Sequence, residues 1–210
     1  MCASMEDHRD VVRRGYDALS VRYDEAFGGD AKYGPILAEV LTRLPAAADV
    51  LDLGCGSGLP VARALTGAGH HVTGIDFSAE QIRRARAHAP AATFVCADIT
   101  EVRFAPASFD ADVSFFALIH VPLELQPPLL RRLADWLRPG GLFVLTTGHG
   151  AWTGREEDWL GGGAPMWWSH ADAATSRGWL EAAGLAVERE EFVPEGDGGH
   201  ALFWATRAGA

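Results

Sequence analysis

The chain has little cysteine and no long uninterrupted run of apolar residues. Its 210 residues include three cysteines, Cys2, Cys55 and Cys96, without the paired spacing of a metal site. An odd number of unpaired cysteines favours a reducing, cytoplasmic setting. The most apolar stretch, residues 113–123, is too short to span a membrane, and no segment resembling a signal peptide opens the sequence. These absences predict a globular protein that folds without disulfides.

Positive charge is also scarce. Lysine and arginine number 18 against 28 aspartates and glutamates, which gives a formal net charge of −10. Binding a phosphate backbone requires clustered basic residues, whereas those present here occur as scattered pairs. The charge balance therefore argues against nucleic acid as a partner without excluding it, and the lack of a membrane-spanning stretch argues against a membrane partner. The composition does not indicate an oligomeric state.

From residue 48 onward, short apolar segments alternate with segments of helical periodicity. Four or five such strands, the last over residues 141–147, predict an α/β fold with a doubly wound, mostly parallel sheet. Two further strands, over residues 185–193 and 201–207, are joined by a short connection rich in turn residues. Strands joined so closely should be antiparallel neighbours.

Two segments lie outside this alternation. We interpret residues 1–47, whose first helix runs from about Glu6 to Tyr23, as an N-terminal helical cap on a domain of residues 48–210. Five of the seven tryptophans occur between positions 152 and 179. Residues 148–170 show little periodicity, and we predict a Trp-rich insertion there, after the fifth strand.

The first strand leads into residues 52–58, DLGCGSG, where alternate glycines allow a sharp turn and let a ligand approach the backbone. A phosphate loop would need a lysine here, which is missing. A dinucleotide fingerprint would need a third glycine, but Leu59 or Val61 occupies that place in the two possible frames. Asp52 would repel a pyrophosphate and can accept hydrogen bonds from an ammonium group. Asp76 ends the second strand, where a carboxylate can accept hydrogen bonds from ribose hydroxyls. Dinucleotide folds also use an acid at this position, so Asp76 does not distinguish between the possible cofactors.

Four segments, taken together, resemble class I S-adenosylmethionine-dependent methyltransferases of the small-molecule, bacterial stand-alone type. They are residues 52–58, 74–78 (GIDFS), 97–99 (ADI) and 137–141 (LRPGG). The resemblance implies a Rossmann-like sheet of seven strands, mostly parallel with an antiparallel last strand. It also implies S-adenosyl-L-methionine as the cofactor and S-adenosyl-L-homocysteine as the product.

The same resemblance implies which residues bind the cofactor. The loop would surround the methionine part, Asp76 would hold the ribose, and residues after the second and third strands would frame the adenine. Tyr16 and Tyr23, seven positions apart on one helix face, would cap the cofactor, although ordinary packing explains them equally well. The cofactor-binding candidates are Tyr16, Tyr23, Asp52, Gly54, Cys55, Gly56, Gly58, Asp76, Phe77, Asp98, Ile99 and Phe115.

Methyl transfer is an in-line displacement at a sulfonium carbon, so the protein mainly aligns the nucleophile and excludes water. A base is needed only where the nucleophile must lose a proton. Histidines at the ligand-binding edge of the sheet could act as that base or bind the substrate, and packing or helix capping is the alternative for each. No spacing typical of a metal site joins them. The catalytic candidates are His120, His149 and His170.

The Trp-rich insertion lies where this fold places substrate-specific elements. We expect Trp152, Trp167 and Trp168 to form a lid over the acceptor, with ring faces that favour aromatic or amine-bearing molecules. A compact insertion with a small core of its own is the alternative. The Asn/Asp-Pro-Pro-Tyr motif of enzymes that methylate amide or adenine nitrogens is missing.

The sequence therefore predicts methyl transfer to a small-molecule acceptor, in a context such as secondary metabolism. Two alternatives stay open. One is methyl transfer to protein or RNA, which a basic patch beside the site would favour. The other is a non-catalytic module that binds the cofactor and transfers nothing.

Overall fold

The computed structural model describes residues 7–28 and 30–209 of the chain. Cys2 and the predicted helix start at Glu6 lie outside these residues. Within the two described ranges, the strands form one seven-stranded sheet and one separate two-stranded sheet. No helix in this part of the chain combines the length and the apolar character that crossing a membrane requires.

The strands follow the predicted alternation with helices. They are β1 Asp49–Leu53, β2 His71–Asp76, β3 Thr93–Cys96, β4 Phe109–Ser114, β5 Leu137–Gly148, β6 Trp152–Glu156, β7 Met166–His170, β8 Leu185–Glu195 and β9 Gly198–Arg207. The spatial order of the large sheet is β3-β2-β1-β4-β5-β9-β8. β1 to β5 are parallel, and β9 pairs antiparallel with both β5 and β8. The predicted antiparallel last strand is confirmed.

Helices cover both faces of the large sheet, so each face packs into its own core. They are α1 His8–Phe27, α2 Asp30–Arg43, α3 Val61–Gly67, α4 Ala79–His88, α5 Gln126–Trp136 and α6 Ala173–Ala182. Along β5, Phe143 and Leu145 belong to the core under α5 and α6, whereas Val144 belongs to the core under α2, α3 and α4. This alternation is the period-two pattern of a strand buried on both faces.

The helix α1 lies over the ends of β1 and β2 and is attached there by polar side chains. Asp24 accepts hydrogen bonds from the Ser57 hydroxyl at 2.8 Å and from the Arg84 guanidinium at 2.6 Å. Asp17 accepts one from the Ser78 hydroxyl at 2.7 Å. Ser57 belongs to the glycine loop and Ser78 is the N-cap of α4, so α1 covers the start of two connections from strand to helix.

The Trp-rich insertion contains a regular element that the sequence analysis did not predict. β6 and β7 form an antiparallel hairpin in which Trp152 pairs with His170 and Glu156 with Met166. Most of β6 is exposed, and a strand without a buried face shows no apolar alternation. Met166 of β7 is fully buried and packs with Val12 of α1, so the hairpin contacts the N-terminal cap.

Candidate functional site

The glycine loop follows β1 in a backbone conformation that favours glycine. Gly54 has φ of +72°, and a Cβ atom there would lie 2.2 Å from the Cβ of Ala117, so a larger residue does not fit. Asp76, at the end of β2, accepts hydrogen bonds from the backbone N–H of Gly56 at 3.0 Å and of Ser78 at 2.9 Å. Burial raises the pKa of Asp76 to about 6, although these two N–H groups favour the charged form. The loop and the carboxyl group therefore form one wall.

This wall bounds a cavity between α1 and the ends of β1 to β4. We call it the inner cavity. Nine of the twelve predicted cofactor residues line it, namely Tyr16, Tyr23, Gly54, Gly56, Asp76, Phe77, Asp98, Ile99 and Phe115.

The other three candidates lie behind the wall. Asp52 is 2 % exposed, and its Oδ2 has no hydrogen-bond partner among the described residues. Burial, and then the charge of Asp76, raises the pKa of Asp52 to about 8. Burial also raises the pKa of the Cys55 thiol, and a Cβ on Gly58 would lie 3.3 Å from the Cα of Ala85 in α4. These positions support the shape of the loop and do not face the cavity.

One end of the inner cavity combines apolar walls with a carboxylate. Phe77 and Ile99 supply apolar surface there. One oxygen of Asp98 accepts hydrogen bonds from the backbone N–H and the hydroxyl of Thr100, both at 2.7 Å. The other oxygen accepts one from Arg9 at 3.2 Å. Arg9 was not among the predicted site residues, because a single arginine in a polar helix carries no signal.

A second, more open depression lies on the other side of Tyr16, and we call it the outer cleft. Its walls are mostly aromatic rings from α1, the β6–β7 hairpin and the β8–β9 turn. Four residues border both the outer cleft and the inner cavity: Tyr16, Tyr23, Phe116 and His120. The main aromatic residues of the outer cleft are Phe27, Trp152, Trp159, Trp168 and Phe192.

His120 holds two hydrogen-bond partners at this border. Its Nε2 lies 2.9 Å from the hydroxyl of Tyr16, and its Nδ1 lies 2.7 Å from the backbone carbonyl oxygen of Trp167. Burial lowers the pKa of His120 to about 4, so the imidazole is neutral near pH 7. Burial also raises the pKa of Tyr16 well above its ordinary value, so its hydroxyl keeps its proton.

Phe116 separates the two spaces in a strained conformation. Its φ is +60°, which is uncommon for an aromatic residue and occurs mainly where surrounding contacts enforce it. Its backbone N–H donates to the hydroxyl of Thr146 at 2.6 Å, and its ring lies 4.0 Å from Nζ of Lys32. Lys32, the only lysine of the chain, is paired with Glu195. Hydrogen bonds from His200 and Lys32 lower the pKa of Glu195 to about 2, so its carboxylate is ionised near pH 7.

The other candidate histidines lie along the outer cleft, away from the border. His170 donates from Nδ1 to the carbonyl of Gly150 at 2.8 Å, and the His149 ring contacts the Phe192 ring at 4.9 Å. Among the residues that the structure describes, no cluster of His, Cys, Asp or Glu is placed to hold a metal ion.

The three predicted lid tryptophans do not share one position. Trp152 and Trp168 line the outer cleft, with ring centroids 5.7 Å apart. Trp167 instead stacks on His8 at 4.5 Å, outside the cleft lining. Trp159, which the sequence analysis did not select, contacts both Tyr16 and Trp168. The sequence shows the cluster but not which rings face the cleft, because that depends on the hairpin register.

Comparison with known proteins agrees with this geometry. Residues 50–141 match the family described as "Methyltransferase domain". The chain is 33% identical over 156 residues to 27-O-demethylrifamycin SV methyltransferase of Amycolatopsis mediterranei, covering 64% of this chain and 57% of that protein. It therefore spans little more than half the length of that relative.

Solved structures extend the comparison over most of the chain. An S-adenosylmethionine dependent methyltransferase from Mesorhizobium loti superposes with a TM-score of 0.66 at 26% identity, covering 84% of this chain and 98% of that one. The 1,6-didemethyltoxoflavin-N1-methyltransferase of Burkholderia thailandensis has a TM-score of 0.73 at 20% identity, covering 99% and 92%. The second likeness is evidence for the fold alone.

Proposed function

The chain belongs to the class I S-adenosylmethionine-dependent methyltransferases, and on this basis we propose that it transfers a methyl group from S-adenosyl-L-methionine to a small-molecule acceptor. The observation that carries the proposal is the common border of the inner cavity and the outer cleft. In-line transfer requires the reacting atoms to approach within about 3–3.5 Å. A donor in one space and an acceptor in the other can meet at this border.

The inner cavity fits the methyl donor. Asp76, held in place by two backbone N–H groups, presents carboxylate oxygens to which ribose hydroxyls can donate. Gly54 and Gly56 present backbone without side chains, and the apolar walls of Phe77 and Ile99 suit an adenine ring. Bound there, S-adenosyl-L-methionine would supply a methyl group already activated by its sulfonium charge.

The outer cleft fits an acceptor with a flat aromatic body. The Trp159 ring lies 5.6 Å from Trp168 and 5.8 Å from Tyr23, and all three rings line the cleft, so its walls offer the apolar surface that a planar molecule packs against. The name of one relative gives a small molecule as its substrate, a demethylrifamycin. We therefore propose a small aromatic metabolite, as in secondary metabolism, for this chain.

The charges around the outer cleft support a small molecule over RNA. Among the described residues that line it, Lys32 is the only lysine or arginine, and Glu195 already neutralises it. A phosphate backbone would require several free basic groups. We also keep a cytoplasmic setting as part of the proposal, and it rests on the use of cysteine alone.

Two measurements test the proposal in sequence. Calorimetry with S-adenosyl-L-homocysteine tests the inner cavity, and we expect one binding site per chain. Incubation with methyl-labelled S-adenosyl-L-methionine and a mixture of aromatic metabolites, followed by mass spectrometry, tests transfer. A labelled product supports the proposal. Binding without any labelled product would favour the non-catalytic module, and no binding would contradict the proposal.

A further inference from the structure

We propose that Tyr16 takes the proton from the methyl acceptor, that His120 receives a proton through Tyr16, and that the acceptor atom is therefore the oxygen or nitrogen of an O–H or N–H group. The inference rests on the proposed function and deepens it, because methyltransferases also act on carbon and sulfur. It starts from the pairing of these two side chains at the border of the inner cavity and the outer cleft.

The hydrogen bonds define which nitrogen of His120 carries the proton. The carbonyl oxygen of Trp167 can only accept, so Nδ1 of His120, 2.7 Å away, must donate to it. In a neutral imidazole the other nitrogen is then an acceptor. Nε2 of His120 therefore accepts the hydrogen bond at 2.9 Å, and the Tyr16 hydroxyl donates it.

In this arrangement the Tyr16 oxygen can accept a further hydrogen bond from a ligand but cannot donate one. Its one proton is directed at His120, while its lone pairs remain available to a ligand. The rings of Tyr23, His120 and Trp159 contact the Tyr16 ring edge-to-face at 5.3–5.6 Å and hold it in place. A ligand group that meets this oxygen must donate a hydrogen bond. An O–H or N–H nucleophile can do so, whereas a thioether or an alkene carbon cannot.

The transfer balances with these groups alone. The acceptor oxygen or nitrogen forms a bond to the methyl carbon as the carbon–sulfur bond breaks, and the electron pair of that bond stays on sulfur. The acceptor proton moves to the Tyr16 oxygen while the Tyr16 proton moves to Nε2 of His120. His120 becomes an imidazolium that keeps its hydrogen bond to the Trp167 carbonyl, and later loses its extra proton to solvent.

The alternative is that the bond between Tyr16 and His120 only attaches α1 to the sheet. The two roles predict different losses of methylation rate when one of these side chains is replaced, depending on which molecule is methylated. A packing defect would reduce methylation of every acceptor alike. Loss of a proton relay should spare a nucleophile that is already ionised before it binds, such as an aromatic thiol at alkaline pH.

Three probes with one ring system separate these roles: 2-naphthol, 2-naphthylamine and 2-naphthalenethiol, each offered with methyl-labelled S-adenosyl-L-methionine. The variants are Tyr16→Phe, which removes only the hydroxyl, His120→Gln, and the double variant. His71→Gln is the matched control, because His71 lies exposed at the start of β2. Calorimetry with S-adenosyl-L-homocysteine on each variant reports the inner cavity separately.

We expect the unmodified protein to methylate 2-naphthol or 2-naphthylamine. Each single variant should lower kcat for that probe by roughly 100-fold or more, the usual contribution of a positioned acid–base group. The double variant should lose no more than either single one, because the two groups act as a unit. Because Tyr16 also lines the inner cavity, each rate is compared at saturating cofactor, and the ratio of 2-naphthol methylation to thiol methylation should fall by the same roughly 100-fold.

Two results would overturn the inference. One is an equal loss with all three probes, which indicates packing, and the other is full activity of Tyr16→Phe on 2-naphthol. If the unmodified protein binds S-adenosyl-L-homocysteine but methylates none of the probes, the proposed aromatic acceptor fails and the inference fails with it. If only the thiol is methylated, the relay fails while the proposed function survives.

Discussion

The hydroxyl oxygen of Tyr16 lies 2.9 Å from Nε2 of His120, although 104 residues separate them in the sequence. The contact joins α1 to the segment that follows β4, at the border between the inner cavity and the outer cleft. The N-terminal cap therefore contributes a polar group to the place where donor and acceptor would meet. The same helix is attached to the glycine loop through Asp24 and Ser57. Cofactor binding and acceptor positioning should thus depend on one element.

Replacing Asp76 by asparagine should weaken binding of S-adenosyl-L-homocysteine without unfolding the protein. The amide keeps the shape of the carboxyl group but loses charge-assisted hydrogen bonds to the ribose, worth about 1–3 kcal/mol, and its NH2 group cannot accept from the N–H of Gly56 or Ser78. Calorimetry measures the change, and Asp135→Asn on the exposed side of α5 is the matched control. Unchanged affinity in Asp76→Asn would refute the assignment of this residue to the ribose.

Binding of S-adenosyl-L-homocysteine should strengthen as pH rises from 5 to 7. The pKa of Asp76 is raised to about 6 in the free protein, and ribose hydroxyls that donate to the carboxylate favour its charged form. Binding near pH 6 should therefore release protons, and this release should stop well above the pKa. Calorimetry in buffers of different ionisation enthalpy counts the protons. Asp76→Asn should remove the effect, and its persistence would contradict the account.

Gly54→Ala should damage the site, whereas Gly140→Ala should carry only the cost of its backbone conformation. Both glycines have positive φ, +72° and +77°, which costs an L-residue about 1–2 kcal/mol. Only at Gly54 does the added Cβ meet another atom, 2.2 Å away on Ala117, and overpacking adds about 1–3 kcal/mol. Chemical denaturation and cofactor titration of both variants measure the difference. Equal effects would show that the close approach to Ala117 does not matter.

Asp112→Val should stabilise the protein. Asp112 is fully buried in β4, and neither carboxyl oxygen has a hydrogen-bond partner among the described residues. An apolar residue of similar size should raise the free energy of unfolding at pH 7 by about 1–3 kcal/mol. Asp110→Asn, two residues earlier, should do the opposite, because Asp110 accepts from the backbone of Asp49 and pairs with Arg138.

Asp112→Val should also flatten the pH dependence of the free energy of unfolding. Burial raises the pKa of Asp112 well above its ordinary value. Above the ordinary aspartate pKa of about 4 the unfolded chain loses this proton while the folded protein keeps it, so stability falls as pH rises. Urea denaturation between pH 4 and pH 8 measures the slope. A slope as steep in Asp112→Val as in the unmodified protein would contradict this explanation.

The sheet could be predicted because its signals are local. The strands predicted over residues 185–193 and 201–207 are the antiparallel neighbours β8 and β9, as expected for strands joined by a short turn. The glycine loop was equally readable, because a tight turn from strand to helix restricts each residue in it. The division into a cap and a domain, and the roles of the site residues, stay predictions.

The acceptor side could not be predicted to the same depth. The outer cleft combines α1, the residue Lys32 at the start of α2, the β6–β7 hairpin and the β8–β9 turn. These segments meet only through long-range packing, so no single stretch shows the cleft. The pairing of Lys32 with Glu195 crosses 163 residues. A lone lysine in an acidic chain was the one sequence signal that could have marked it.

The central claim is that the inner cavity holds the methyl donor and opens towards the acceptor at Tyr16. A crystal structure with S-adenosyl-L-homocysteine bound tests this most directly. The account predicts that both ribose hydroxyls lie within hydrogen-bond distance of Asp76, and that the sulfur faces the border formed by Tyr16, Phe116 and His120. A ligand whose sulfur points away from this border, or whose ribose does not contact Asp76, would contradict it.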